Sequence, residues 1–163
     1  MATSSESKSL LEYNNLHIDS DLQVVIVYTE WNEKIIAELL RGVQHVLSKF
    51  PSLNVYYLQV PGAIEITNAC FRTIELKRAQ VIIALGCVIK GETPHFDYVC
   101  QSVTQGITHL NATQRIPVIF GVLTVNSVDE AWDRLGGKHG HKGEEAAIAA
   151  LKMCHLNYQT SIK

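Results

Sequence analysis

Val81-Ile82-Ile83-Ala84-Leu85-Gly86-Cys87-Val88-Ile89-Lys90-Gly91-Glu92-Thr93-Pro94-His95-Phe96-Asp97-Tyr98 is the stretch on which the fold turns. Its opening apolar run, residues 81–85, reads as a strand buried on both faces. Thr93 is a good N-cap residue, and Pro94 suits the first helical position, where a missing N–H costs nothing. Asp97 then lies in the first turn, at the positive end of the helix dipole. The pattern predicts a strand, a glycine-bounded loop from Gly86 onward and a helix from Pro94. Such a corner is either an anion site at a helix N-terminus or an ordinary connection. His95 is correspondingly either an acid/base group beside that site or a solvated histidine. The spacing of Gly86 and Gly91 approaches a P-loop, but Glu92 stands where that motif needs lysine. A carboxylate there would repel nucleotide phosphates, so the nucleotide reading fails.

Outward from this stretch, three more apolar runs rich in Val and Ile read as buried strands: residues 22–28, 55–60 and 118–125. Helical patterns separate them. Residues 33–50 place Ile35, Ile36, Leu39, Leu40, Val43, Val46 and Leu47 on one broad face, and Pro51 stops the helix. Further helices are expected over residues 62–77, 94–112 and 143–156, with a short one capped by Ser127 and running to Leu135. The order β-α-β-α-β-α-β-α implies a doubly wound, three-layer α/β/α sandwich around a four-stranded parallel sheet with right-handed crossovers. Ligands in such sheets sit outside the carboxyl ends of the strands. Thr29-Glu30-Trp31-Asn32, Pro61-Gly62-Ala63-Ile64-Glu65, the loop from Gly86 to His95 and Val125-Asn126-Ser127 are therefore expected on one rim.

The 163 residues fit one domain, expected over 17–163, and 47% hydrophobic residues supply a core. Fourteen Lys and Arg against 16 Asp and Glu give a formal charge of −2, which leaves no basic excess for a general nucleic-acid surface. No apolar run is long enough to cross a bilayer. Residues 1–16 read as a flexible tail, and residues 1–9 are polar and lack the apolar core of a signal peptide. A cytoplasmic protein is expected. Cys70, Cys87, Cys100 and Cys154 form no C-x-x-C pair and read as free thiols in a reducing compartment.

Four features could carry chemistry. Trp31, just after the first strand, is either a stacking platform for a flat heterocycle or a core or interface tryptophan. Glu65 either holds a polyol or uracil-like ring together with free N–H groups, or is a favourable acid in a helix's first turn. His95 is the acid/base candidate. Arg134-Leu135-Gly136-Gly137-Lys138-His139-Gly140-His141-Lys142-Gly143 is a basic, glycine-rich loop that suits phosphate capture, with a flexible solvated connection as the plain alternative. His139 and His141 lack an evident third ligand, so no metal site is expected.

Taken together, Thr29-Glu30-Trp31-Asn32, Val60-Pro61-Gly62-Ala63-Ile64-Glu65-Ile66, the stretch from Ala84 to Val99, Pro117-Val118-Ile119-Phe120-Gly121-Val122-Leu123-Thr124 and Gly136-Gly137-Lys138-His139-Gly140-His141-Lys142-Gly143-Glu144-Glu145-Ala146-Ala147 resemble the lumazine synthase family in order and spacing. Any one piece is weak; the set is specific. The resemblance implies a flavodoxin-like fold and a cofactor-independent transferase. Its reaction would condense 5-amino-6-(ribitylamino)uracil with 3,4-dihydroxy-2-butanone 4-phosphate, the penultimate step of riboflavin biosynthesis. The resemblance assigns Trp31 to stacking on the pyrimidine, Ala63, Ile64 and Glu65 to the ribityl chain, and Val88 and Ile89 to backbone contacts with the ring. Glu92 and Thr93 match the phosphate loop and His95 the acid/base histidine. Phe120, Arg134 and Lys142 match groups contributed by an adjacent subunit, with Arg134 as the main phosphate anchor.

The chain departs from the commonest family pattern at Trp31, Ile64, Thr67 and His141, where Phe, an aromatic residue, Pro and Asn are more usual. None removes a group the chemistry needs. Tryptophan at the stacking position points to riboflavin binding, and association with riboflavin synthase is compatible with the family. The resemblance further implies homo-oligomers, pentamers that in some members build sixty-subunit cages. The short 136–143 loop favours the cage, and the N-terminal segment would add a strand to a neighbour. A non-catalytic flavin binder or shell protein of the same fold is the alternative, against which His95, Arg134 and Lys142 all speak.

Overall fold

The computed structural model of the chain describes residues 12–13 and 16–161, the last in its backbone only. Most of the expected tail, and with it the expected strand added to a neighbour, lies outside the described residues. The elements are β1 (Gln23–Thr29), α1 (Glu33–Leu47), β2 (Asn54–Val60), α2 (Ala63–Glu75), β3 (Val81–Ile89), α3 (His95–Thr113), β4 (Val118–Val125), a short α4 (Val128–Trp132), β5 (Leu135–Gly137), β6 (Gly140–His141) and α5 (Lys142–Ser161). The main sheet is parallel throughout, in the order β2-β1-β3-β4. This is the flavodoxin-like layer order that the sequence implies.

Period-two alternation assigns the two sheet faces. Val24, Ile26, Val81, Ile83 and Leu85 pack with Leu39 and Val43 of α1 and Ala147 and Leu151 of α5. Val25, Val27, Ile82 and Ala84 pack with Ile66 and Cys70 of α2 and Val103 and Ile107 of α3. β1 and β3 are buried on both sides because each has a strand on either edge and a helix on either face. The continuous apolar runs are the sequence imprint of that position.

Several boundaries differ from expectation. β3 runs four residues past Leu85. Residues 86–89 are strand, paired with Val122, Leu123, Thr124 and Val125, because β4 extends to Val125 and offers them partners. The connecting loop is thus only Lys90 to Pro94. β2 is not a buried strand. As an edge it leaves Tyr56 (52%), Tyr57 (47%) and Leu58 (40%) exposed. α3 begins at His95, not Pro94, and Thr93 does not cap it. Pro94 occupies the cap position with helical angles, and its carbonyl accepts the Asp97 N–H at 3.0 Å, a tight entry turn that needs no side-chain cap. Ser127 does cap its helix, accepting from the Glu130 N–H at 3.2 Å, but that helix ends at Trp132. The 134–143 loop, read as a phosphate-capturing loop or a flexible connection, forms an antiparallel hairpin, β5–β6, with positive φ at Gly136, in its register shift, and at Gly140. No helix among the described residues is long and apolar enough to cross a membrane.

Candidate active site

α1 leaves the end of β1 over one sheet face, and α2 leaves the end of β2 over the other. Connections that diverge in this way open a crevice at the carboxyl end of the sheet. A cleft of about 470 Å³ lies there, lined by Trp31 and Asn32 after β1, Ala63, Ile64 and Glu65 opening α2, Val88 and Ile89 closing β3, and His95 with Val99 on α3. Three of the four segments expected on one rim meet in it. A larger groove of about 710 Å³ lies along β2 and α2, lined by residues such as Tyr57, Leu58 and Leu76, and contains no His, Cys or carboxylate.

The first wall is set by Asn32. It holds left-handed angles, φ 62° and ψ 44°, and its side-chain amide donates to the Cys87 carbonyl at 2.9 Å. Asn tolerates this conformation better than most residues because its short side chain can bond locally. The bond ties the end of β1 to β3 across the cleft. The Glu30 N–H donates to the Val60 carbonyl at 2.9 Å, and the buried Thr29 hydroxyl donates to the Trp31 carbonyl at 3.4 Å. With its backbone held from both sides, Trp31 projects its indole outward, 73% exposed. Opposite, a Cβ at Gly62 would sit 3.1 Å from a Glu65 carboxylate oxygen and 3.8 Å from the Trp31 ring. The glycine therefore lets Glu65 fold back toward the indole. Ile64, 47% exposed, adds an apolar face. His95 stands on the opposite side, in the first turn of α3. Cys87 also lines the cleft, but burial pushes its thiol up to about 11, so it offers no thiolate near neutral pH.

The remaining candidates do not reach this cleft. Glu92 and Thr93 are exposed in the turn just before His95. Phe120 lies on the edge strand β4, in a separate depression with Phe96, Cys100 and Asn126. Asn126, at the carboxyl end of β4, thus lines a different depression from the other three rim segments. Its N–H donates to the Glu130 carboxylate at 2.8 Å, and this bond is the main cause holding that carboxyl below its ordinary range. Arg134 and Lys142 stand at the base of the β5–β6 hairpin. The Lys142 N–H donates to the Arg134 carbonyl at 2.9 Å, the Arg134 guanidinium donates to the Glu130 carbonyl at 2.8 Å, and the Lys142 ammonium donates to Glu145 at 2.6 Å. One chain thus carries a ring-sized cleft with a histidine and, apart from it, a cationic hairpin and an exposed phenylalanine in a depression of its own. Asn32 was not singled out from sequence, although an Asn between a strand end and a helix start is a recognisable signal. Among the described residues, no group of three His, Cys, Asp or Glu is placed to hold a metal ion.

Fold and cleft together define the class: a flavodoxin-like α/β protein with an open cleft at the switch point of its parallel sheet. The family model for 6,7-dimethyl-8-ribityllumazine synthase matches residues 21–158. The chain is 43% identical over 159 residues to the 6,7-dimethyl-8-ribityllumazine synthase of Parabacteroides distasonis, covering 96% of this chain and 99% of the relative. To that of Porphyromonas gingivalis it is 44% identical over 158 residues, covering 96% and 98%. To that of Bacteroides fragilis it is 49% identical over 130 residues, covering 78% and 91%. The chain belongs to the 6,7-dimethyl-8-ribityllumazine synthase family.

Proposed function

We infer that the protein is a transferase of riboflavin biosynthesis. It condenses 5-amino-6-(ribitylamino)uracil with 3,4-dihydroxy-2-butanone 4-phosphate to 6,7-dimethyl-8-ribityllumazine, releasing water and inorganic phosphate. The observation that carries this reading is the convergence of Trp31, Glu65 and His95 on one cleft, in a chain whose family match spans nearly its whole length.

In this reading the exposed Trp31 indole stacks on the pyrimidine, since aromatic faces bind flat heterocycles well. Ala63, Ile64 and Glu65 take the ribityl chain, where the carboxylate can accept bonds from hydroxyls. Val88 and Ile89, at the end of β3, contact the ring through their backbone. Imine formation needs proton transfers at the ketone, and phosphate elimination needs a proton removed next to one. A histidine at the cleft mouth can serve both steps, which is the role we assign to His95. Thr93, Glu92 and Arg134 form the phosphate site, with Arg134 offering the bidentate fork. Holding two substrates face to face supplies much of the remaining acceleration.

Phe120, Arg134 and Lys142 act in the cleft of a neighbouring subunit in this reading. Their separation from His95 within one chain is what such a shared site requires. We take residues 17–163 as one domain that assembles into pentamers and, given the short hairpin, into a sixty-subunit cage in the cytoplasm. Riboflavin is a further ligand of the Trp31 cleft, and riboflavin synthase a candidate partner of the assembly.

Turnover tests the proposal directly. Purified protein mixed with both substrates should form the lumazine chromophore faster than the uncatalysed mixture. His95→Ala and Arg134→Ala should each slow it, by about 10²-fold or more for the acid/base group. A wild-type rate equal to background would overturn the catalytic reading.

A further inference from the structure

One histidine of the hairpin is far more enclosed than its neighbours. The side chains of His141 and Glu38 are only 11% and 16% exposed. The His141 ring lies against α1 at Gly42, where a Cβ would fall 2.1 Å from its Cε1 and 2.3 Å from its Nδ1. Any larger residue at position 42 would expel the ring. Glycine is unfavourable inside a helix, so the notch is a local sacrifice that the ring occupies. Both ring nitrogens are engaged. Nδ1 accepts the Gly143 N–H at 3.2 Å, and Nε2 faces a Glu38 carboxylate oxygen at 3.3 Å. A backbone N–H can only donate, so the neutral ring carries its proton on Nε2 and donates it to Glu38. Glu38 is fixed from its other side by Arg41, whose Nε donates to it at 2.9 Å. That guanidinium is the main reason its carboxyl sits below the usual range. Gly143 is tight as well, since a Cβ there would meet the Leu39 carbonyl oxygen at 2.2 Å.

What His141 fixes lies immediately beside it. His141 pairs with Leu135 across the hairpin, and Lys142, the next residue, donates its N–H to the Arg134 carbonyl. The imidazole therefore sets the position of Arg134 and Lys142 relative to α1. We propose that His141, seated in the Gly42 notch between Glu38 and Gly143, is a positioning residue that holds Arg134 and Lys142 in register to grip the phosphate-bearing substrate. The inference rests on the assignment of those two side chains to phosphate.

Steady-state kinetics with each substrate varied separately tests it. His141→Ala should raise KM for 3,4-dihydroxy-2-butanone 4-phosphate about tenfold while KM for the pyrimidine stays within about twofold. His141→Asn retains an acceptor at the Nδ1 position and should bring the phosphate-substrate KM back to within about threefold of wild type. Gly42→Ala, which changes no group near the phosphate, should reproduce the His141→Ala pattern by expelling the ring. Equal rises in both KM values would mean general damage and overturn the proposal, as would an unchanged phosphate-substrate KM in His141→Ala. Arg134→Ala is the control for the underlying assignment. If it leaves the phosphate-substrate KM unchanged, the phosphate site itself is misplaced. If it raises that KM while His141→Ala does not, only the positioning role falls.

Discussion

Trp31 owes its usefulness to its neighbour. Asn32 takes the left-handed turn, and its amide reaches the Cys87 carbonyl, so the preceding indole has nowhere to pack and stays 73% exposed. An exposed indole costs the chain burial, and a flat ligand would recover it. Stacking of a base on an aromatic residue is worth about 1–3 kcal/mol by alanine substitution. Trp31→Ala should therefore raise KM for the ribitylaminouracil about tenfold or more, leave that for the phosphate substrate within about twofold, and weaken riboflavin binding by a similar factor. Fluorescence titration with riboflavin, wild type beside mutant, checks the last point, and equal affinities would remove riboflavin from this cleft. Sequence alone placed Trp31 on the rim, because a residue just after a strand in a parallel sheet has to lie there. It did not single out Asn32 or the seat of His141. The acceptor for Asn32 is 55 positions away, and His141 meets a carboxylate 103 positions away. Such contacts are set by how elements pack, which local pattern does not encode.

At the scale of elements, the β runs were legible because strands buried on both faces must be apolar throughout. Where a strand lies at the sheet edge, the same signal misled. β2 is as rich in apolar and aromatic residues as its neighbours, yet it sits at the sheet edge with Tyr56, Tyr57 and Leu58 exposed. The two glycines of residues 86–91 suggested an early loop, but one of them, Gly86, continues β3 beside Val122. A Cβ there would come within 3.3 Å of Ile66 and Val122, so this glycine serves packing, not turning. Helix contact is equally exacting between α2 and α3. A Cβ at Gly106 would lie 2.2 Å from the Thr67 hydroxyl and 2.9 Å from its Cβ, and that hydroxyl is buried without a hydrogen-bond partner. Gly106→Ala should destabilise the protein by about 1–3 kcal/mol through overpacking. Thr67→Ala alone should be near neutral, because the hydroxyl it removes bonds to nothing, and in the Gly106→Ala background it should restore part of the loss. Denaturant midpoints at one fixed protein concentration measure the coupling. Strict additivity of the two substitutions would show that the helices adjust elsewhere.

For the whole molecule, the decisive fact is that the acid/base candidate and the cationic hairpin do not converge within one chain. His95 lines the cleft at the ends of β1, β2 and β3, while Phe120 faces a separate depression on the outer edge of the sheet. Composition and periodicity could not reveal this split. Only the family resemblance anticipated it, because no local pattern says whether two surface groups serve one site or two. A cleft completed by a neighbour makes a quantitative demand. In the proposed shared site, His95→Ala and Arg134→Ala variants, each expected to be nearly inactive alone, carry their lesions on opposite sides. When the two are unfolded together and reassembled at random, about a quarter of sites in a closed ring combine an intact His95 from one subunit with an intact Arg134 from the next. Activity of the mixed assembly should therefore rise to about a quarter of wild type, whereas each variant refolded alone stays at its own low rate. Light scattering on the same samples would report the mass of the assembly and so test the proposed pentamer and cage. The predicted recovery depends only on head-to-tail sharing between neighbours and is the same for either. If the mixture shows no more than the average of its two parents, His95 and Arg134 belong to the same chain's site, and the hairpin must swing toward its own cleft when substrate binds.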